Sequence, residues 1–331
     1  MNRILAMHTG RTVLCGLMTL VCFSAFSEDK ELLRKEQPNI RKIQEFSRKE
    51  GAILVFTLPG SPLAYANRGV LQWLEPGPRL SKFDTGFAPA PAPNTGLIAF
   101  GGSDSEKNHY IDIYDLEKRV ERQHVRIPCL PLSLGWSSNS ADIAVLCQEQ
   151  VLLLSASTGT EKSSRPPPTL GQQFKEGHFW NGPLQILGDR GAVLVGLSYQ
   201  VPVKGEPGTW SGRSAILRIS EDGVTTPVVP GDYPSLSPGG DVVAYYTDDD
   251  KLATMSATGT QQRTLCKAPR SLFYRHELMP PIVWAPAADR VIFHTWSDWE
   301  KAIGGIYVVT LETRERVTLA TGTTINIIAW Y

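Results

Sequence analysis

The sequence predicts an all-β fold, a closed ring of four-stranded sheets of the β-propeller type, and three observations predict it. The first is a period. Taking a small or turn-forming cluster followed by an apolar β-run as the mark, Leu54, Ile98, Ile143, Val193, Val243 and Val291 recur at steps of 44, 45, 50, 50 and 48 residues. A repeat of this size with several short strands per unit reads as a propeller blade. The second is the content of each unit. Seven residues before five of the marks, Pro91, Trp136, Ile186, Leu236 and Trp284 end a short apolar or Pro-containing run, read as the innermost strand. After each mark comes a third run and a polar turn suited to a hairpin into a fourth strand. The third is a mismatch at the ends. The first unit lacks an inner strand, because Ser47 lies in the charged stretch RKIQEFSRKE, while the chain finishes on an apolar run, TTINIIAWY, with nothing after it. The C-terminal run is therefore expected to supply the inner strand of the first unit. Six blades result, and closure removes the sheet edge that an open ring would leave.

In chain order, residues 1–27 read as a secretory signal peptide. Arg3 and Arg11 precede an apolar run from Val13 to Phe23, and Ala25-Phe26-Ser27 offers small residues at a cleavage site. The apolar run is too short to span a bilayer comfortably. Its removal takes two arginines and no acid, leaving a net charge of −2. Residues 28–50 form a helical or flexible lead-in: Ile40, Ile43 and Phe46 sit at three-residue spacing behind Pro38, a residue suited to a first helical turn, and Gly51 follows as a stop. The propeller occupies residues 51–331. Its third runs are VLQWL, YIDIY, VLLL, AILRI, KLATM and IYVV; the turns after them are EPGP, LEKR, STGT, SEDG, ATGT and LETRE.

Two stretches carry a resemblance to a known family. SLSPGGDVVAYYTDDDKLATMSATGTQQRTL, and WAPAADRVIFHTWSDWEKAIGGIYVVTLETRERVTLATG after it, resemble the propeller repeats of TolB-like exported proteins. In those repeats a Trp-Ser-Pro-Asp-Gly turn leads into an Ile-Ala-Phe strand, an Ile-Tyr strand and a Gly turn. The resemblance implies a six-bladed propeller in an exported protein. It covers roughly residues 50–331 and is clearest in the third, fifth and sixth units. The turn Asp of the family is Asn139, Gly239 and Ala287 here, and no room exists for the α/β domain that precedes the propeller in TolB itself.

Composition excludes several functions. Lys and Arg total 33, Asp and Glu 33, so no basic excess draws the chain to nucleic acid. No Gly-x-Ser-x-Gly, His-Glu-x-x-His, phosphate-binding Gly-x-x-x-x-Gly-Lys or Cys-x-x-Cys is present. His109, His124, His178, His276 and His294 show no metal-ligand spacing, and TDDDK at Thr247–Lys251 lacks the alternation of a calcium loop, so neither metal nor cofactor is expected. The inner runs LSLGW, PLQI, YPSL, PIVW and INIIAW contain no Asp, Glu or His, which argues against catalysis around the channel. A hydrolase- or lactonase-type propeller enzyme stands as the alternative, with Asp232, His276, Glu277 and Asp298 at the channel mouth; carbohydrate binding by aromatic loops is another.

The positive signal lies in long connections expected on one face: SYQVPVKGEPGTWSGR, HTWSDWEKAIGG, and two links between units carrying Phe179, Trp180 and Phe273. Long loops on a rigid scaffold favour binding, with aromatics and Arg as anchors. The expected binding set is Tyr199, Trp210, Tyr274, Arg275, His276, His294, Trp296, Asp298 and Trp299. A partner protein, small molecule or glycan would dock there on an exported, monomeric binding or scaffold protein, periplasmic or secreted, with no membrane span after signal cleavage. Export permits disulfides. Folding the hairpin about Asn139 brings Cys129 near Cys147, an expected disulfide, with Cys266 free.

Overall fold

The computed structural model describes residues 31–57, 64–67, 70–73, 89–93, 95–104, 106–166, 179–188, 191–203, 209–269, 281–298 and 303–331. A helix, α1, covers residues 31–50, and the rest is β-structure. The first strands are β1 (Ile53–Thr57), β2 (Ala64–Asn67) and β3 (Val70–Trp73). The second sheet comprises β4 (Ala90–Pro91), β5 (Leu97–Ser103), β6 (His109–Asp115) and β7 (Val120–Ile127). The third has β8 (Ser133–Trp136), β9 (Asp142–Leu146), β10 (Val151–Ser155) and β11 (Glu161–Arg165). The fourth has β12 (Phe179–Leu187), β13 (Ala192–Pro202), β14 (Trp210–Ile219) and β15 (Thr225–Pro230). The fifth has β16 (Asp232–Leu236), β17 (Val242–Tyr246), β18 (Lys251–Ser256) and β19 (Arg263–Lys267). The sixth has β20 (Val283–Trp284), β21 (Arg290–Asp298), β22 (Ile303–Thr310) and β23 (Arg316–Thr323). Strand β24 (Asn326–Trp330) then joins the first sheet, in the order β24-β1-β2-β3, with Leu54 opposite Trp330.

Each sheet is an antiparallel meander. The innermost strands touch in the cycle β24, β4, β8, β12, β16, β20 and back to β24, which closes the ring. Alternation explains the seams. On β6, Ile111 and Ile113 face the third sheet, where they meet Leu134, Val145 and Leu152; residues between them face the first. Where inner strands approach, tryptophans bridge them. Trp136 Nε1 donates to Ala90 O at 2.8 Å, and Trp284 Nε1 to Ser235 O at 2.9 Å. Gly135 allows β8 to lie directly on β12, because a Cβ there would stand 1.8 Å from Leu184 O.

The turn between inner and second strand has one geometry in three sheets. Ser237 N–H bonds Val242 O, and Gly240 N–H closes back on Ser237 O; Ser137 with Asp142 and Ser140, and Ala285 with Arg290 and Ala288, repeat this. The fourth residue is left-handed each time, with φ of 79° at Gly240, 58° at Ser140 and 57° at Ala288. Gly suits that conformation and the other two do not.

Helix α1 extends the reading of the lead-in. Pro38 lies well inside the helix, not in its first turn, and its ring removes one backbone hydrogen bond there. The stop is as expected: Gly51 has φ 66°, with Gly51 N–H on Arg48 O and Ala52 N–H on Ser47 O, the paired bonds of a Schellman end. Ile40 and Ile43 are fully buried against Leu54, Ile292, Ile306 and Ile327, and Phe46 meets Trp330 edge-to-face at 5.4 Å. Glu36 and Ser47 share that buried stripe.

Three expectations are corrected. VLQW, expected as the third strand of its unit, is the fourth, β3, because the short strand β2 precedes it; the run after EPGP falls outside the described residues. The long connections of the fourth and sixth units are largely continued ladder, since β13, β14, β21 and β22 run on as paired strands. The inner strands are also not free of acids: β16 begins at Asp232, which is fully buried. Among the described residues, no helix is long and apolar enough to cross a membrane.

Candidate functional site

The two strand-lengthened hairpins define one face. The β13/β14 ladder continues from Val193–Ile219 out to Pro202–Trp210, and β21/β22 from Arg290–Thr310 out to Asp298–Ile303. Between them the fifth sheet stops early, at Tyr246–Leu252, and turns tightly through Thr247–Lys251. The turn is held by Thr247 N–H on Lys251 O and by Thr247 Oγ1 on Asp249 at 2.5 Å; Lys251 Nζ pairs with Asp249 at 2.5 Å. The Lys251 and Thr247 donors hold the Asp249 carboxyl below the usual carboxylate range. The result is a low acidic step flanked by two raised hairpins.

Tyr199 lies on the raised part of β13 and packs on the apolar seam between the third and fourth sheets. Burial pushes its phenol upward, the charge of Asp248 adds to this, and Arg213 opposes it. Beneath them runs a buried polar line: Ser198 Oγ and Ser214 Oγ are 3.4 Å apart, and Ser214 Oγ donates to Asp232 Oδ2 at 3.2 Å. Gly231 has φ 141°, and a Cβ there would stand 2.4 Å from Tyr246 O, so the link into β16 requires glycine. Asp232, an acid candidate for catalysis at the channel mouth, is shielded from solvent at this point and has no access to a substrate.

His294 does not belong to the face. It is 2% exposed, its Nε2 accepts the Ile327 N–H at 3.1 Å, and its backbone is clamped by the Tyr246 hydroxyl, which donates to His294 O and accepts from His294 N. Burial lowers its pKa to about 3, so the ring is neutral, with its proton on Nδ1. Alternation on β21 turns it into the seam with β24. The backbones of Trp296 and Asp298 sit on the raised part of β21, opposite Gly304 and Ile303, and Trp210 lies opposite Pro202. The side chains of these three residues, and the whole of Phe273, Tyr274, Arg275, His276, Glu277 and Trp299, lie outside the described residues. Phe179 and Trp180 begin the inner strand β12 and are not in a loop.

At the opposite end of the channel, a cavity of about 90 Å³ opens among Pro91, Trp136, Leu236, Trp284, Ile328 and Trp330. Its described lining holds no carboxylate or imidazole. Cys129 and Cys147 are disulfide-bonded with Cα atoms 5.9 Å apart, and burial pushes the free Cys266 thiol up to about 11, which keeps it from acting as a nucleophile near neutral pH. One grouping that chain spacing could not disclose lies elsewhere: Asp112, Glu121 and His124 converge across the β6/β7 ladder.

No protein-family model and no curated protein matches the chain. Solved structures match its fold. TolB from Acinetobacter baumannii superposes with a TM-score of 0.53 at 14% identity, over 85% of this chain and 66% of that one. A nidogen/laminin complex gives 0.51 at 9% identity, over 85% and 97%. A putative TolB from Agrobacterium tumefaciens gives 0.45 at 12% identity, over 84% and 98%. The chain spans just under two thirds of the Acinetobacter protein's length. What is shared with the first two of these is the β-propeller fold.

Proposed function

We propose that this chain is an exported, six-bladed propeller that acts by docking a partner protein across the face bearing the β13/β14 and β21/β22 hairpins. The observation that carries the reading is the relief of that face: two paired hairpins stand above the short fifth sheet, with the Thr247–Lys251 turn as the step between them. Rigid ladders lose less entropy on binding than loose loops of the same length. Trp210, Trp296 and Trp299 lie on or beside these hairpins in sequence, and large aromatics are common interface anchors. Asp248 and Asp249 favour a partner that brings Lys or Arg to the step. Export is supported by the signal-type residues 1–27 and by the Cys129–Cys147 disulfide, since such bonds persist in oxidising compartments.

A photo-crosslinking residue placed at Gln200, exposed on the raised β13, tests the reading against one at Ser157, exposed in a turn on the opposite face. A discrete crosslinked species from Gln200 and none from Ser157 is expected in cells exporting the protein. Equal labelling, or labelling from Ser157 alone, overturns it. With the partner in hand, Trp296→Ala should cost about 2 kcal/mol of binding with little loss of stability.

A further inference from the structure

The second sheet carries a feature that the docking reading does not use. Asp112 on β6 stands directly opposite His124 on β7, and His124 Nδ1 lies 2.6 Å from Asp112 Oδ1. Glu121 is three residues before His124. In a regular strand that offset puts side chains on opposite faces. Here the register shifts between Ile113 and Tyr114, so that Gln123 opposes the first and Glu121 the second. The extra residue, Arg122, is absorbed in the bulge, and Glu121 turns to the face of Tyr114, Asp112 and His124. Bulges re-aim side chains in this way. One ligating atom from each of Asp112, Glu121 and His124 then lies within 4.8 Å of the others.

The bulge itself is a property of the fold, because a register shift recurs between third and fourth strands in the third to sixth sheets. The residues are not. The positions matching Asp112 and His124 are Leu152 and Ser164, Ala215 and Pro230, Lys251 and Lys267, and Gly305 and Thr321. In the third and fourth sheets, then, the place of Asp112 is filled by apolar Leu152 and Ala215, packed into the seam with the preceding sheet. An aspartate only 1% exposed at such a position carries a desolvation cost that a hydrophobic residue would not. The three groups are graded from inside to outside. The Asp112 side chain is 2% exposed, that of His124 is 27% exposed, and Glu121 is exposed. Tyr110 packs on the His124 ring at 5.0 Å and fixes its plane. The cluster thus has a buried anchor, an oriented imidazole and an open outer side.

We propose that Asp112, Glu121 and His124 bind a divalent first-row transition cation at the rim of the second sheet. Two carboxylates and one imidazole make a mixed oxygen–nitrogen donor set, which suits Zn²⁺, Mn²⁺ or Fe²⁺ better than Ca²⁺. Three protein ligands leave its outer positions to water.

Titration of tag-free, full-length mature protein with Zn²⁺ by calorimetry tests this. One ion per chain is expected at pH 7. His124→Gln should weaken binding by about tenfold or more, and Glu121→Gln, at an exposed position, should weaken it without disturbing the fold. Asp112→Asn should abolish binding. If that variant unfolds, the Glu121 and His124 variants decide alone. Zn²⁺ binding of equal affinity in wild type and in folded His124→Gln, or no binding by wild type at millimolar Zn²⁺, overturns the site.

Discussion

The seam between the third and fourth sheets and the seam that closes the ring do the same job with different chemistry. In the first, β8 lies on β12 with Gly135 against the Leu184 carbonyl, and Ala144, Leu146 and Val151 interlock with Ile186, Val193 and Leu217. The closing seam is also apolar at heart, but helix α1 fastens it with polar groups. Glu36, 1% exposed, receives Thr323 Oγ1 at 2.7 Å, Thr324 N–H and Oγ1 at 3.0 Å each, and Asn39 Nδ2 at 2.9 Å. His294 accepts the Ile327 N–H, and at the far end of the helix Arg290 pairs with Glu50 at 2.7 Å and lies over the Trp330 ring. Consecutive sheets are neighbours along the chain, so shape alone suffices to hold them. Strand β24 joins β1 from the other end of the chain and gains register from directional bonds. The difference teaches that the closing seam is the acid-sensitive one.

Removal of Thr323–Tyr331 should have the largest effect, because it strips the inner strand from the first sheet and the partners from Glu36. Loss of the cooperative thermal transition and of monodispersity is expected, by calorimetry and light scattering. Gly135→Ala attacks the dry seam instead. Its Cβ meets a backbone carbonyl that cannot rotate away, and a loss of about 3 kcal/mol is expected in urea unfolding. Glu36→Ala leaves the buried Thr323 and half-buried Thr324 donors without their acceptor and should cost about 2 kcal/mol at pH 7.

Acid separates the seams further. The His294 pKa is about 3 in the folded chain against 6.5 for an ordinary His, so its contribution is whole above pH 6.5 and drains as pH falls toward 3. Each pH unit in that window removes up to about 1.4 kcal/mol. Burial alone would raise the Glu36 pKa, but the donors from Asn39, Thr324 and Thr323 outweigh it and hold the carboxyl below its usual 4.5, so its contribution is lost at still lower pH. Stability measured from pH 7 to 4 should decline less steeply in His294→Gln than in wild type; parallel curves would remove His294 from the account. The smallest expected effect is a gain. Ala288→Gly relieves a left-handed alanine in the sixth sheet and should add about 1 kcal/mol, while Gly240→Ala in the fifth should cost a similar amount.

Much of the ring was legible because a four-strand unit repeats its apolar runs at a nearly constant period. The inner strands ending at Pro91, Trp136, Leu236 and Trp284 stand where that spacing puts them, and β24 completes the first sheet as the surplus C-terminal run implied. The first sheet's own strands were misnumbered because β2 has four residues and no distinctive pattern. Candidate residues were harder to place. His294 follows three apolar residues on β21, and whether such a residue faces a loop or a seam depends on where the ladder ends, which the hydrophobic run does not show. Glu36 is one of several charges among residues 28–50; its burial depends on Thr323 and Thr324, nearly 290 residues away. The Asp112–Glu121–His124 group depends on cross-strand register plus a bulge, and linear spacing records neither.

Both ends of the closing ladder have a mechanical meaning. Ile53 and Tyr331 exchange two backbone bonds of 2.9 Å, so α1 and the C-terminal residue leave the β1/β24 pair at the same end. Tension drawn between a bare β1 and Tyr331 would open that ladder like a zip, one rung at a time. The Glu36 clasp changes the path of the force. It grips Thr323 and Thr324, beyond the opposite end of β24, so a pull on the first turns of α1 passes through the carboxylate into β24 and along its covalent backbone to Tyr331. The ladder is bypassed, and the clasp and its three bonds to Thr323 and Thr324 become the first element to bear load.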